Sequence, residues 1–314
     1  MDRKCRMIVV TGANGFVGRN LVGYLKAREF DVRPVARAYS PADSARVATA
    51  DLLDPAPWPA ILDHADALVH LAAHNPTRGS RASFEHALFE RVNVEATRQL
   101  AEAARKAGVL RFVFVSSARV YGVGRDMALR EDDALSPSDL GRDAYAVSKR
   151  RAEEVLLADL AGSAMTVSIF RPPMIYGRGR GGVFGTFVRA VRAGIPLPFE
   201  ALAARRSLLH VDNLASAIEA AIIGPSTQSG LFNIADAEAL SHAQLLRAIG
   251  EAVGRPARLF AVPDPVWRMA GHVPRIGPAL SHATAPLILD TGALRSATGW
   301  TPPLSTRDGL RMSV

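Results

Sequence analysis

The first half of the chain alternates between short apolar runs and longer stretches with helical periodicity. The apolar runs have the length and the β-branched and aromatic content of buried parallel strands. They are Met7–Thr11, Asp31–Ala36, Ala67–Leu71, Arg111–Ser116 and Met165–Phe170. Helical periodicity covers residues 15–29, 85–107 and 142–160. This alternation predicts an α/β fold with a doubly wound, mostly parallel sheet of seven strands.

The pattern becomes less regular after Arg171. Segment 172–206 is rich in Gly, Pro and Arg, and prolines break the last part of the chain into short helices. Between them the pattern predicts a helix near 184–193, a strand at Ser207–Val211, a helix at about 212–223 and a strand at Gly230–Ile234.

The regular pattern of the first half and the less regular pattern after Arg171 predict two structural units of unequal size. A dinucleotide-binding Rossmann domain would comprise residues 1–171 plus about 207–235. Residues from about 172–206 together with 236–314 would form a smaller C-terminal lobe that binds the substrate. A ligand is expected in the crevice between the two.

Composition narrows the class of partner. The chain has 314 residues, is 48% hydrophobic and carries a net charge of +8, with a pI of about 10.2. Such a basic chain could bind nucleic acid or attract an anionic small molecule. The arginines are spread along the chain without interleaved aromatic residues, and lysines are few. We therefore expect an anionic small-molecule substrate and no nucleic acid.

The chain shows no sign of a disulfide, a metal cluster or a membrane anchor. Cys5 is the only cysteine, which excludes an intrachain disulfide and a thiolate metal site, and no metal is predicted. No apolar run reaches the roughly 18 residues that span a bilayer. Met1–Arg6 leads directly into a strand pattern rather than a signal peptide. The expected compartment is the cytoplasm, with no membrane partner.

A glycine-rich segment joins the first strand to the first helix. Within Thr11–Gly18, Gly12 would permit the tight turn, Gly15 would let the backbone approach a pyrophosphate, and Gly18 would let helix and strand pack closely. The helix N-terminus would then present N–H groups and partial positive charge to phosphate. Three glycines alone are a weak signal, but here they have the strand–helix context that dinucleotide binding requires.

The end of the second strand bears on cofactor choice. A carboxylate there would hold the ribose hydroxyls of NAD, yet Ala36–Ser40 contains none. Arg37 could instead pair with a 2′-phosphate and stack on adenine, or it could be a solvated surface arginine. Asp51, after the third strand, could accept a hydrogen bond from the adenine amino group or simply cap the strand end.

Three residues form a candidate catalytic set. Tyr145 and Lys149 are four residues apart in a helical pattern, so both point to one helix face. A cation beside a phenol favours the phenolate, which suits proton exchange in an alcohol/ketone couple. Ser117 follows a central strand at the edge that faces the crevice, where its hydroxyl could bind the reacting oxygen.

With these motifs in this order, the chain resembles the extended short-chain dehydrogenases/reductases over essentially its whole length. The matching motifs are Thr11–Gly18, Val69–Ala73, Val92–Thr97, Ser116–Gly122, Tyr145–Lys149, Arg171–Gly177 and Arg206–Leu214. The resemblance implies that Ser117 orients the substrate oxygen, Tyr145 transfers the proton and Lys149 also binds the nicotinamide ribose. Asn93 would support the active-site helix or the cofactor, Arg206 would bind the nucleotide diphosphate, and His70 would pack beside the cofactor.

The same resemblance implies a wider set of contacts. The cofactor would meet Gly12, Asn14, Gly15, Phe16, Val17, Gly18, Arg37, Asp51, Leu52, Leu71, Ala72, Ala73, Asn93, Val115, Tyr145, Lys149, Arg171 and Pro172. The substrate would meet His74, Ser117, Tyr145, Met174 and Arg206. The absent carboxylate at the second strand favours NADP as cofactor, with NAD as the alternative.

Within this family the chain is similar to bacterial enzymes that act at C4 of UDP-N-acetylhexosamines. The likeness lies in the segments Ala193–Phe199, Arg205–Val211, Gly254–Pro263 and Thr298–Pro303. The 4,6-dehydratases of the family carry an Asp-Glu pair just after the active-site Ser/Thr. Ala118-Arg119 stands at those positions here, which argues against a dehydratase. Met174 stands where epimerases commonly have an asparagine.

The leading hypothesis is an NADPH-dependent 4-reductase of a UDP-4-keto sugar. The alternative is a UDP-sugar 4-epimerase, and a third hypothesis is a non-catalytic NADP-binding regulator, which the intact catalytic set disfavours. A homodimer is expected through the helices near 85–107 and 142–160. That expectation rests on apolar residues predicted on more than one side of the first of these helices: Leu88, Val92, Val94, Leu100 and Ala104.

Overall fold

The structure of the chain is a computed structural model. It describes residues 7–37, 48–75, 82–122, 124, 127–133, 143–179, 181–224, 229–263, 266–267, 269 and 284–314. Cys5, and the positions 38–40 that follow Arg37, lie outside these residues.

Seven parallel strands form the central sheet. In chain order they are β1 (Met7–Thr11), β2 (Asp31–Ala36), β3 (Ala48–Thr49), β4 (Ala67–His70), β5 (Arg111–Val115), β6 (Thr166–Arg171) and β7 (Gly230–Asn233). Their order across the sheet is β7-β6-β5-β4-β1-β2-β3, and every neighbouring pair is parallel. The winding reverses between β1 and β4, so a ligand crevice is expected outside the carboxyl ends of these strands. The predicted doubly wound Rossmann fold is confirmed.

Helices cover the sheet and extend the chain beyond it. They are α1 (Phe16–Lys26), α2 (Trp58–Leu62), α3 (Ala82–Phe89), α4 (Ala96–Lys106), α5 (Ala144–Asp159), α6 (Gly182–Ala193), α7 (Val211–Ile223), α8 (His242–Val253), α9 (Gly292–Thr298) and α10 (Thr306–Met312). Within the part of the chain that the structure describes, none has the length and apolar character of a membrane span.

The central strands are apolar on both faces because helices cover both. Successive side chains of β1 point to opposite sides: Val9 packs with α2, α4 and α5, whereas Ile8 and Val10 pack with α1 and α7. All three are fully buried. A parallel sheet enclosed in this way needs near-continuous apolar strands, which is why the strand runs were readable from the sequence.

A smaller set of elements lies beside the carboxyl edge of the sheet. Strand Met174–Tyr176 pairs in parallel with Leu208–His210, and Arg205–Arg206 pairs with Leu240–Ser241 in antiparallel fashion. Their apolar residues form a separate core with α6, α8 and α10. The strand predicted at Ser207–Val211 therefore exists as three residues, but it pairs outside the central sheet. The helix after it, α7, does pack on α1 against the central sheet.

The helix predicted over 85–107 is interrupted. A π-helical segment, Glu90–Glu95, joins α3 to α4. Inserting a π turn shifts the following side chains around the helix axis, and such insertions concentrate at functional sites. Asn93 lies in this segment and is 1% exposed.

The five apolar residues from which a homodimer was predicted are less exposed than predicted. Val94, Leu100 and Ala104 are buried, and Leu88 and Val92 are half-buried, so these five residues expose little apolar surface. The exposed side of α4 carries charged side chains instead, including the Glu102–Arg105 ion pair at 2.7 Å. The homodimer itself stays a prediction.

Candidate active site

The turn after β1 leaves no room for a side chain at Gly12 or Gly18. Gly12 has φ +68°, and a Cβ on it would lie 2.8 Å from the Ala72 nitrogen. A Cβ on Gly18 would lie 2.2 Å from the Gly12 oxygen, which accepts the Gly15 N–H at 2.9 Å. The N-cap residue of α1 is Gly15, which has no side chain with which to cap the helix. The backbone is therefore drawn into a tight cradle at the positive end of a helix, which suits a pyrophosphate.

A buried histidine connects the turn to the neighbouring strand. Nδ1 of His70 lies 2.7 Å from Thr11 Oγ1, and Nε2 lies 3.0 Å from Thr97 Oγ1 on α4. Burial lowers the pKa of His70 to about 3, and the Lys149 cation acts in the same direction. Thr11 Oγ1 also accepts the Ala72 N–H at 3.3 Å. The neutral imidazole thus fixes the turn against the segment after β4.

Asn93 holds that segment against the active-site helix. Its Oδ1 accepts the backbone N–H of His74 at 2.8 Å, and its Nδ2 donates to the His74 carbonyl at 3.1 Å. Nδ2 also donates to Ser148 Oγ on α5 at 3.0 Å. The family resemblance implied a supporting role for Asn93, and these bonds show what it supports. The π segment places the Asn93 side-chain amide within hydrogen-bonding distance of both His74 and Ser148.

Lys149 is buried and anchored at the end of β5. Its Nζ donates to the Val115 carbonyl at 2.9 Å and lies 4.4 Å from the Phe114 ring centroid. Burial lowers the pKa of Lys149 to about 7, and the Glu153 carboxylate opposes this shift. The amine is thus fixed beside the strand end that leads to Ser117.

Tyr145 and Ser117 lie on elements that pack together. Tyr145 is half-buried in the first turn of α5. Its ring packs edge-on against the Phe89 ring, with the two centroids 6.0 Å apart. The Phe89 ring also packs against the His74 ring, with the centroids 4.9 Å apart. Ser117 caps a short 3₁₀ turn, Ala118–Tyr121, which packs against α5, and its Oγ accepts the Arg119 N–H at 3.2 Å. The three predicted catalytic residues are therefore gathered around the end of β5.

Arg119 adds a contact that the sequence did not suggest. Its guanidinium lies over the Tyr145 ring, 5.3 Å from the centroid. Nε and Nη2 donate to Asp143 Oδ2 at 2.9 and 2.5 Å. Asp143 caps α5 by accepting the Ala146 N–H at 3.1 Å. A helix cap at Asp143 could have been read from its place one residue before the helix, but its partner could not.

A buried polar network lies behind the catalytic helix. Glu153, one turn after Lys149, is 1% exposed and accepts from Ser116 Oγ at 2.5 Å. Arg171 is 2% exposed and pairs with Glu153 at 2.6 Å. Arg171 also donates to the Tyr121 hydroxyl at 2.9 Å. The guanidinium of Arg171 is thus committed to this network rather than to the crevice, so only its main chain could serve the predicted cofactor contact.

The other predicted cofactor residues differ in placement. Arg37 is exposed at the end of β2, and Asp51 is exposed with its Oδ1 accepting the Leu53 N–H at 3.0 Å. Leu52 is buried in the core. Several others line the turn or the strand ends: Asn14, Phe16, Val17, Leu71, Ala73, Val115 and Pro172. The Pro172 carbonyl accepts the Ala118 N–H at 2.8 Å, which ties the end of β6 to the turn of Ser117.

The predicted substrate residues of the smaller lobe are half-buried. Met174 packs in the core of that lobe, and Arg206 donates to the Ala285 carbonyl. Burial lowers the pKa of Arg206. His242 lies close enough that the Arg206 charge lowers its pKa further, beyond the effect of burial, to about 4. His242 also stacks on Phe199, with centroids 5.2 Å apart.

The site fits a dinucleotide. A Cβ at Gly12 or Gly18 would collide with backbone, so these two glycines permit the tight turn and the close helix–strand packing that a dinucleotide-binding turn requires. The turn lies beside the segment after β4, and Lys149, Ser117 and Tyr145 follow at the next strand end. This is the crevice in which a doubly wound sheet binds its ligand.

Comparison with known proteins identifies the class. Residues 8–235 match the model of the NAD dependent epimerase/dehydratase family, and the chain belongs to this family. It is an enzyme of the extended short-chain dehydrogenase/reductase type, as its motifs indicated.

Relatives carry several activities. The chain is 30% identical to a UDP-glucose 4-epimerase of Vibrio cholerae, over 100% of this chain and 96% of the relative. It is 29% identical to a ceramide reductase of Caulobacter vibrioides, over 94% and 86%. Among solved structures, MoeE5 in complex with UDP-glucuronic acid and NAD has a TM-score of 0.77 and 29% identity, with 97% and 96% covered.

Proposed function

We propose that this enzyme transfers hydride at C4 of a UDP-sugar and that its reaction is 4-epimerisation. The observation that carries the proposal is the anchoring of Lys149 to the Val115 carbonyl, on the helix face it shares with Tyr145 and beside the turn of Ser117. This arrangement suits reversible oxidation of a secondary alcohol. The UDP-glucose 4-epimerase relative and the UDP-sugar complex of MoeE5 support the substrate class.

The chain's own residues have distinct tasks in this reaction. Tyr145 takes the proton of the C4 hydroxyl, and Lys149 favours the phenolate that accepts it. Ser117 donates a hydrogen bond to the oxygen as it becomes a carbonyl. A nicotinamide dinucleotide, when bound, supplies the acceptor and then the donor of hydride. Tyr145 returns the proton once the other face of the keto sugar is presented.

The substrate's diphosphate is assigned to the smaller lobe. Arg206 is held in a half-buried position by the Ala285 carbonyl, beside His242 and near Phe199. A guanidinium in such surroundings binds an anion more strongly than a solvated one. The basic surface of the chain favours the approach of the same anionic ligand.

Reduction of a UDP-4-keto sugar is the second candidate. Arg37 favours it, because this exposed guanidinium stands at the end of β2, where the sequence has no carboxylate before Ser40. A free reductase draws on NADPH, whereas an epimerase recycles one bound NAD. Both reactions use Ser117, Tyr145 and Lys149 in the same roles.

The two reactions are separated by their need for reductant. Purified protein is incubated with UDP-glucose, UDP-N-acetylglucosamine or UDP-glucuronic acid, without reductant, and the products are identified by NMR. Inversion at C4 supports the epimerase. Consumption of NADPH with UDP-4-keto sugars, and no inversion, supports the reductase.

Matched lysine variants test the site itself. Lys149→Met should lower turnover by about 10²-fold or more, because the proton-transfer step loses its cation. Lys106→Met removes an exposed lysine that pairs with Glu102 at the end of α4, and it should leave turnover unchanged. Equal activity of the two variants would contradict the proposed site.

A further inference from the structure

The ion pair of Arg119 and Asp143 lies against the proton-transfer residue. It joins two elements that each carry part of the catalytic set: the 3₁₀ turn that begins after Ser117, and α5, which carries Tyr145. Two nitrogens of the Arg119 guanidinium, Nε and Nη2, donate to one oxygen of Asp143. Asp143 is 8% exposed, so this carboxylate is not a freely solvated surface group.

We propose that Arg119 and Asp143 are positioning residues that hold the Ser117 turn against the Tyr145 helix and, as a pair, add almost no net charge beside the Tyr145 phenol. The inference rests on the proposed function in one respect, that Tyr145 is the proton-transfer group. It goes beyond that function because it makes the ionisation of this phenol depend on the balance between two opposite charges as well as on Lys149.

The geometry supports a charge effect rather than a gain in stability alone. The guanidinium carbon is 5.3 Å from the Tyr145 ring centroid, which is within the range where a single charge shifts a neighbouring pKa. Its partner carboxylate lies at the start of the same helix, two residues before the tyrosine. Because the two charges are opposite and adjacent, their effects on the phenol largely cancel.

Other ionisable groups on the surrounding elements are the same in every variant of the test. Lys149 lies one turn further along α5, and His74 approaches from the segment after β4 through Phe89. The Glu90–Arg151 pair joins the π segment to α5 at 2.7 Å. None of these groups is altered when Arg119 or Asp143 is substituted, so the variants report on the pair itself.

Removing one charge at a time should shift the phenol in opposite directions. Asp143→Asn keeps an oxygen that can cap α5 and leaves the cation uncompensated, so the pKa of Tyr145 should fall by about half a unit to one unit. Arg119→Gln leaves the carboxylate uncompensated, so the pKa should rise by about the same amount. Arg119→Lys keeps the positive charge but loses the two hydrogen bonds to Asp143. The pKa of Tyr145 in this variant should equal that of the parent protein, whereas turnover should stay below the parent value.

The phenolate is measured directly by ultraviolet absorbance during a pH titration of the full chain. Each protein is compared with the same protein carrying Tyr145→Phe, so that the difference belongs to Tyr145. The other described tyrosines interfere little, because burial raises the pKa of Tyr24 to about 12 and also raises those of Tyr121 and Tyr176. The pH profile of kcat/KM for UDP-sugar oxidation should shift in the same directions.

Asp159→Asn is the matched control, since it removes the same charge from the other end of α5. Asp159 pairs with Arg98 at 3.0 Å and lies 16 residues from Asp143, roughly 24 Å along the helix at 1.5 Å per residue. Its effect on Tyr145 should be screened out.

Shifts of opposite sign in the pKa of Tyr145 for Asp143→Asn and Arg119→Gln support the proposal. The proposal would be overturned if both variants shifted the pKa of Tyr145 in the same direction, or by no more than Asp159→Asn does. Correct shifts without turnover on any UDP-sugar would refute the proposed function and leave the charge balance standing.

Discussion

Two glycines of α1 offer a matched test of the dinucleotide cradle. A Cβ at Gly18 would lie 2.2 Å from the Gly12 oxygen and 2.7 Å from the Ala13 Cα, both of them backbone atoms. To reach an ordinary contact of 3.4 Å, helix and turn must separate by 3.4 − 2.2 Å, or about 1.2 Å. At Gly23, in the same helix, a Cβ meets no neighbouring atom of the described residues within 4 Å.

The two Gly→Ala substitutions should therefore differ in sign. Alanine is favoured over glycine inside a helix by about 0.5–1 kcal/mol, so Gly23→Ala should stabilise the fold by that amount. Gly18→Ala gains the same term but adds overpacking of about 1–3 kcal/mol, so the free energies of unfolding of the two variants should differ by about 1–3 kcal/mol. Gly18→Ala also displaces the Gly12 oxygen that accepts from Gly15, which disturbs the phosphate cradle.

Chemical denaturation measures the stabilities, and fluorescence titration with NAD and NADP measures dinucleotide affinity. Gly18→Ala should weaken affinity about tenfold or more, since a loss of about 1.4 kcal/mol corresponds to a factor of ten. Gly23→Ala should bind like the parent protein. If Gly18→Ala matched Gly23→Ala in both measurements, the close approach of helix and turn would not be the basis of the cradle.

Three further predictions concern cofactor choice, pH and the π segment. If the enzyme is the reductase of the second candidate, it should prefer NADPH over NADH by about tenfold, and Arg37→Ala should remove that preference while sparing NADH affinity. Equal losses of affinity for both dinucleotides would show that Arg37 only stacks on adenine. Because the pKa of His70 is about 3 in the fold and 6.5 in the unfolded chain, the unfolded state binds more protons between these values, so stability should fall as pH falls from 6.5. His70→Gln should remove up to about 1.4 kcal/mol per pH unit of that slope in denaturant unfolding, and an unchanged slope would mean that His70 is not buried as a neutral ring. Asn93→Ala should lower kcat, and adding Ser148→Ala to that variant should lower kcat no further, because the hydrogen bond between the two residues is already lost. If the two substitutions lowered kcat additively, the residues would not be coupled.

The sequence was most informative where one local rule decided the structure. The apolar runs such as Met7–Thr11 predicted buried parallel strands, because helices on both faces demand apolar residues at every position. Tyr145 and Lys149 could be paired because four residues separate them on a helix. By the same rule Glu153, four residues after Lys149, could have been placed on that face before its partner Arg171 was known.

Contacts between residues that are far apart in the chain could not be predicted from the sequence. No residue in Glu90–Glu95 marks a π turn, so the contacts of the Asn93 side chain could not be predicted from the sequence. Arg171 looked like a cofactor contact by family position, yet its guanidinium is committed to Glu153. Arg119 and Asp143 are 24 residues apart, and only the fold brings them together over the tyrosine ring.

The most direct test of hydride transfer at C4 uses a UDP-sugar labelled with deuterium at that carbon. The labelled UDP-glucose, UDP-N-acetylglucosamine or UDP-glucuronic acid is incubated with the enzyme in ordinary water, with NAD or NADP, and the label is located by NMR. Deuterium should be found at C4 of the inverted sugar or on the nicotinamide ring, and not in water, because it moves with its electron pair. Tyr145→Phe should slow this transfer by about 10²–10⁴-fold while still binding the dinucleotide. Loss of the label to water, or transfer by Tyr145→Phe at the rate of the parent enzyme, would contradict the account.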